Sequence, residues 1–138
     1  MNKSPSKHLT WKELSCKDGT EYPQKWRNNR AIILAEMFEL IRSSFEDKPI
    51  QVLSAYRTSE WNKKIGGARN SQHIEGRALD LRPPNGVTVD EFYKVIKELA
   101  PLTYIKGIGK YGTFVHIDIR PINHIVYWNS NAPKDSLA

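Results

Sequence analysis

The segment Phe114-Val115-His116-Ile117-Asp118-Ile119-Arg120 constrains the fold more than any other part of the chain. Its apolar residues alternate with the others at the period of a β-strand, not of a helix. One face is Val115, Ile117 and Ile119, which belong in a core. The opposite face carries Phe114, His116, Asp118 and Arg120, an odd set unless it lines a site. Leu79-Asp80-Leu81 poses a related problem, since a carboxylate in an apolar strand is costly to bury without a partner. A fold for this chain must bring such groups together.

The remaining elements follow from local signals. Thr10 and Glu13 have capping-box spacing and start a short helix, which the turn residues Cys16 to Pro23 end. A long helix is expected over Gln24 to Phe45, with Ile33, Met37, Leu40 and Ile41 as its buried stripe and Trp26 extending it. Ile50 to Tyr56 reads as a strand, and Thr58 or Ser59 caps a short helix that Gly66-Gly67 stops. Ala68 to Gly76 is a loop and Arg77 to Leu81 a strand with Ala78 and Asp80 on one face. Thr88 and Glu91 form a second capping box, opening a helix that runs to about Ala100 with Val95, Ile96 and Leu99 inward. Leu102 to Ile108 and Thr113 to Ile119 pair as a hairpin turned through Gly109 to Gly112. The expected class is α+β, a small antiparallel sheet flanked by helices.

A chain of 138 residues fits one domain, residues 1–138, with loose termini at 1–9 and 129–138. Apolar residues make up 39% and charged residues 26%, a globular composition that excludes a disordered chain. Cys16 has no second cysteine to pair with, so no internal disulfide is possible, and a small half-buried hydrophobe is expected there. No apolar run reaches the length of a membrane span, which excludes membrane insertion by a helix. Basic residues near the start are not followed by an apolar signal core. The formal net charge of +6 fits polyanionic partners. Its lysines and arginines are spread along the chain, however, so no nucleic-acid-binding arm is expected.

His73, Asp80 and His116 are candidate metal ligands. Imidazole and carboxylate suit zinc, whose catalytic sites use three protein ligands and leave a position for water. Residue chemistry alone leaves two readings open, a metal centre or separate structural residues. Glu75 is expected as an exposed loop carboxylate, His124 as a surface histidine, and Tyr127 and Trp128 as closing the core.

Ser71-x-His73-x-x-Gly76-x-Ala78-x-Asp80, followed by Phe114-Val115-His116-Ile117-Asp118, resembles the zinc D-Ala-D-Ala carboxypeptidases and phage-type peptidoglycan endopeptidases, which share the hedgehog/DD-peptidase fold. Ser54-Ala55-Tyr56-Arg57-Thr58, the approach from Asn62 to Gly67, and Gly107-Ile108-Gly109-Lys110-Tyr111 match in order and spacing, so the likeness covers roughly residues 50–128. It implies a Zn²⁺ cofactor held by His73, Asp80 and His116. Arg57 would face the substrate and stabilise the oxyanion, and Ser71 would bind substrate or brace the loop. Several relatives carry an acid three positions before the second histidine. Thr113 stands there, so Asp118 is expected as the general base, with an orienting role for a ligand as its alternative.

The implied activity is hydrolysis of a peptide bond in peptidoglycan stem or cross-bridge peptides by a monomeric phage or prophage lytic enzyme. Such an enzyme would be made in the cytoplasm and reach the cell wall after holin-type release or as a virion component. The competing expectation is a non-catalytic zinc-containing module of the same fold that binds cell wall or a protein.

Overall fold

The computed structural model describes residues 4–130. Helix α1 spans Trp11–Leu14 and helix α4 spans Val89–Leu99. Both open on the capping boxes expected for them, Thr10 with Glu13 and Thr88 with Glu91. Helix α3, Ser59–Lys64, is capped by the Thr58 hydroxyl, which accepts from the Trp61 N–H. Each cap satisfies backbone N–H groups that the first turn leaves without a helical partner.

The long helix is shorter than its periodicity predicts. Gln24–Trp26 is a 3-10 turn, and helix α2 begins only at Arg30 and ends at Ser43. Asn29 interrupts it with a non-helical backbone, while its side chain accepts from the Arg30 N–H. Asparagine competes with helix by this kind of local hydrogen bond. The inward face also turns away from the expected stripe. Ala31, Leu34, Ala35, Met37, Phe38 and Ile41 are buried, whereas Leu40 is exposed. With Ile32, Ile33 and Leu34 consecutive, apolar residues cover too much of the circumference for the pattern to select one face.

Five strands form one sheet, β1 Val52–Ser54, β2 Ala78–Leu81, β3 Gly107–Lys110, β4 Val115–Asp118 and β5 Val126–Asn129, in the order β1-β2-β4-β3-β5. The first four pair antiparallel, and β3 and β4 make the expected hairpin with Lys110 opposite Val115. The exception is its first arm, since Leu102 ends a 3-10 turn and β3 runs through Gly109 and Lys110, expected in the turn. Strand β5 lies within what reads as tail, and it pairs parallel with β3, so the sheet is mixed. The class is α+β as expected. Leu79, Leu81, Val115 and Ile117 face a core completed by α2, Phe92 and Ile96. The segment before α1 is docked as well. Leu9 is buried, and the Ser6 hydroxyl and the His8 N–H both donate to Glu39 on α2. Among the described residues no helix is long and apolar enough to cross a membrane.

Candidate metal centre

The antiparallel register of β2 and β4 sets Asp80 directly opposite His116. Residues paired in this way have Cβ atoms about 4.5–5.5 Å apart, so two donors meet by sheet geometry alone. The third comes from the loop before β2, where the chain turns back and lowers His73 onto the same face. Asp80 Oδ1 lies 3.0 Å from His73 Nε2 and 3.0 Å from His116 Nδ1. All three side chains are buried, and one ligand atom from each lies within 4.8 Å of the others. The structure thus unites the three candidate ligands, although 36 residues separate Asp80 from His116.

Hydrogen bonding fixes which ring nitrogens are free. His73 Nδ1 lies 2.6 Å from the Ala55 carbonyl, which only accepts, so Nδ1 carries the proton. Nε2 is left as a lone pair aimed at the Asp80 carboxylate. His116 Nε2 donates to Asp118 Oδ2 at 2.8 Å, which turns Nδ1 inward. Histidines that bind metals keep their other nitrogen on a carbonyl or carboxylate in this manner. Both rings here do so, and the remaining lone pairs converge on a carboxylate oxygen. That donor set fits a zinc ion.

The electrostatics agree. Burial pulls His73 below the ordinary histidine range, more than Asp80 beside it raises it. Burial also opposes a charged His116, but Asp118, to which Nε2 donates, and the negative Asp80 carboxylate beside Nδ1 outweigh that and move it upward. Burial alone would raise Asp80, yet His73 and His116 hold it well below the usual carboxylate range. The cluster stabilises a carboxylate that seeks positive charge, and a cation at the shared point supplies it.

Two further candidates, Arg57 and Asp118, make buried contacts beside the cluster. Arg57 is 1% exposed and turned into the protein. Its Nε donates to Ser54 Oγ, Nη1 to Asn62 Oδ1 and Nη2 to Asp80 Oδ2 at 3.2 Å. It braces the metal-facing carboxylate from behind rather than facing the cleft. Asp118 sits at the far edge of the His116 ring from Asp80. Its Oδ1 accepts from the Arg120 N–H and Nε, and its Oδ2 accepts from Arg120 Nη2 and His116 Nε2. Burial would raise this carboxyl, but Arg120 and His116 hold it well down. Both oxygens are committed, which is the arrangement of the orienting partner named above as the alternative to a general base. Ser71 is buried and its hydroxyl accepts the His73 N–H at 3.1 Å, bracing the loop from within.

A cavity of about 310 Å³ opens beside His116, lined among others by Ser71, Gln72, Tyr111, Arg120 and Trp128. Trp128, expected in the core, forms its wall instead. The indole centroid is 5.2 Å from that of His116, and Nε1 donates to the Tyr111 hydroxyl at 2.9 Å. Gly107 and Gly109 on β3 make this possible, since a Cβ at Gly107 would collide with the Asp118 carboxylate and one at Gly109 with the Trp128 ring. Glu75 is half exposed, near Arg30 and Arg77, and His124 lies on the surface, as expected for both. Arg120, already placed on the His116 face by strand alternation, proves to hold Asp118, and the Ala55 carbonyl is a further site group. Arg120 was visible as the next residue on the His116 face, whereas a backbone carbonyl leaves no sequence signal.

An α+β sheet with a buried His-Asp-His cluster beside a cavity is the arrangement of a metallohydrolase centre. The model of the Peptidase M15 family matches residues 7–118, and the chain belongs to that family. It is also similar to the zinc D-Ala-D-Ala carboxypeptidase of Streptomyces albus G, with 43% identity over 54 residues. That match covers 38% of this chain and 21% of the relative's length.

Proposed function

We propose that the protein is a zinc-dependent peptidase that hydrolyses a peptide bond in the stem or cross-bridge peptides of bacterial peptidoglycan. The observation that carries this reading is the convergence of His73 Nε2, Asp80 Oδ1 and His116 Nδ1 in a chain of a peptidase family. Zinc held there supplies Lewis acidity toward a peptide carbonyl and toward water.

The chain's own residues do the rest. Ala55 and Asp118 lock the two imidazoles in ligating tautomers, and Arg57 aims the Asp80 carboxylate through its hydrogen bond to Oδ2. Arg120 holds Asp118 in turn. A peptide in the cavity would lie against Trp128 and Tyr111. Gln72 Oε1, buried without a hydrogen-bond partner, stands ready to accept a peptide N–H. The charge of +6 suits an anionic wall, and a phage or prophage lytic role acting on that wall is part of the proposal.

Metal-dependent release of new amino groups from purified peptidoglycan tests the reading. Turnover that disappears with a chelator and returns with zinc is expected. Asp118→Asn should weaken zinc binding by about 10- to 100-fold, as loss of an orienting partner does, and should recover turnover at saturating zinc. A general base at Asp118 would instead leave zinc affinity intact and abolish turnover. The second reading is a zinc-containing wall-binding module, favoured by the commitment of both Asp118 oxygens. Wild-type protein that binds zinc and wall but releases no amino groups would establish it.

A further inference from the structure

We infer that the segment from Tyr22 to Arg30, which supplies no ligand, is a positioning device for the metal centre. It grips the loop that carries His73. The inference rests on the reading of His73, Asp80 and His116 as a zinc site.

Asp80 and His116 belong to paired central strands, so the sheet itself holds them. His73 alone sits on a loop. Ser71, Ala55 and the Arg57 N–H, which donates to the His73 carbonyl at 3.0 Å, hold the residue itself, and the rest of its loop is held from the N-terminal segment. Within that loop the Gly76 N–H closes a turn onto the His73 carbonyl at 3.1 Å, and the Arg77 N–H returns to the Gln72 carbonyl at 3.1 Å. The turn leaves the carbonyls of Glu75 and Gly76 pointing outward, and the N-terminal segment takes both. The buried Tyr22 hydroxyl donates to the Gly76 carbonyl at 2.7 Å. Arg30 Nη1 donates to the Glu75 carbonyl at 2.6 Å, with its guanidinium 4.2 Å above the Trp26 ring. Tyr22, Trp26 and Tyr56 pack edge to face around this point.

Gly76 shows how closely the rings press on the loop. Its φ is +66°, and a Cβ there would come within 2.6 Å of Trp26 and 2.9 Å of the Tyr22 hydroxyl oxygen. The aromatic cluster therefore rests on bare backbone three residues from a ligand. A shift at Gly76 is passed through the closed turn to His73, while Asp80 and His116 stay in place. Coupling of this kind is reciprocal, so zinc bound at the site also holds Tyr22 and Arg30 on the loop.

The test uses the full chain with Tyr22→Phe and Arg30→Met, which remove the hydrogen bonds and keep most of the packing. Zinc dissociation constants come from chelator competition at a temperature where every metal-free variant is folded. Each substitution should raise the zinc dissociation constant about 10-fold, the lower end for loss of an outer partner. Amides of the His73 to Arg77 turn should also exchange faster in metal-free Tyr22→Phe, with those of β2 and β4 unchanged. Phe45→Leu is the control, because Phe45 packs on Phe92 instead. It should lower stability and leave zinc affinity alone. Unchanged affinity in both loop variants, or an equal loss in the control, overturns the inference. Wild-type protein that binds no zinc overturns the metal reading beneath it, and faster exchange in Tyr22→Phe would then show the grip to be structural only.

Discussion

At the scale of single residues the site is organised by Asp80. One carboxylate oxygen meets two imidazoles and the other meets Arg57, all buried. Removing one partner of a buried ion pair leaves an uncompensated charge and costs about 3–5 kcal/mol. Arg57→Met should therefore destabilise the metal-free protein by roughly that amount, measured by urea unfolding. Saturating zinc should restore part of the loss, because the cation then faces Asp80. Destabilisation that zinc leaves unchanged would show that Arg57 supports the fold independently of the site. Asp80, His116 and the face shared with Asp118 were legible in the sequence, because strand alternation predicts which side chains lie together, and His73 was legible from its residue type and the motif around it. The buried partners of Arg57 and Asp118 were not. A guanidinium or carboxylate looks the same in sequence whether it faces substrate or a buried neighbour, and only the distances to Asp80 and Arg120 separate the cases.

At the scale of elements, the sheet and its caps follow from local rules, and the departures occur where a tertiary contact outweighs them. Thr10, Thr58 and Thr88 cap their helices as residue type and spacing require. Asn29 breaks α2 by a local hydrogen bond that helical periodicity does not register. Strand β5 has only four residues, and its pairing with β3 is long-range, so nothing nearby in sequence announces it. The segment before α1 escaped notice because its anchor, Glu39, lies on another element. Burial disfavours the charged form of Glu39, but the Ser6 hydroxyl and both donors of His8 outweigh this and hold its pKa below the 4.5 of a free glutamate. The sign of the effect follows directly. A lowered carboxyl pKa stabilises the fold above pH 4.5, and that contribution disappears as pH falls through the lower folded value. Glu39→Gln should cost about 1–2 kcal/mol at neutral pH, a reasonable sum for charge-assisted hydrogen bonds at a part-exposed site. The gap between variant and wild type in urea unfolding should close as pH falls toward 3. A gap independent of pH would assign the loss to packing.

At the scale of the whole molecule, the core and the site are the two faces of one sheet. Leu79, Leu81, Val115 and Ile117 point into the hydrophobic side, while Asp80, His116 and Asp118 point to the other. Gly107 and Gly109 keep the neighbouring strand bare so that Asp118 and Trp128 can lie across it. The N-terminal aromatic cluster closes the arrangement from the side of the His73 loop. This face is built to hold one zinc ion through His73, Asp80 and His116. The most direct test of this is the zinc content of freshly purified protein, set beside the content of His73→Ala, Asp80→Ala and His116→Ala after equal dialysis. One zinc per wild-type chain is expected, and its loss in each folded variant. Wild-type protein that stays free of zinc even after zinc is added, or variants that retain it in full, would contradict it.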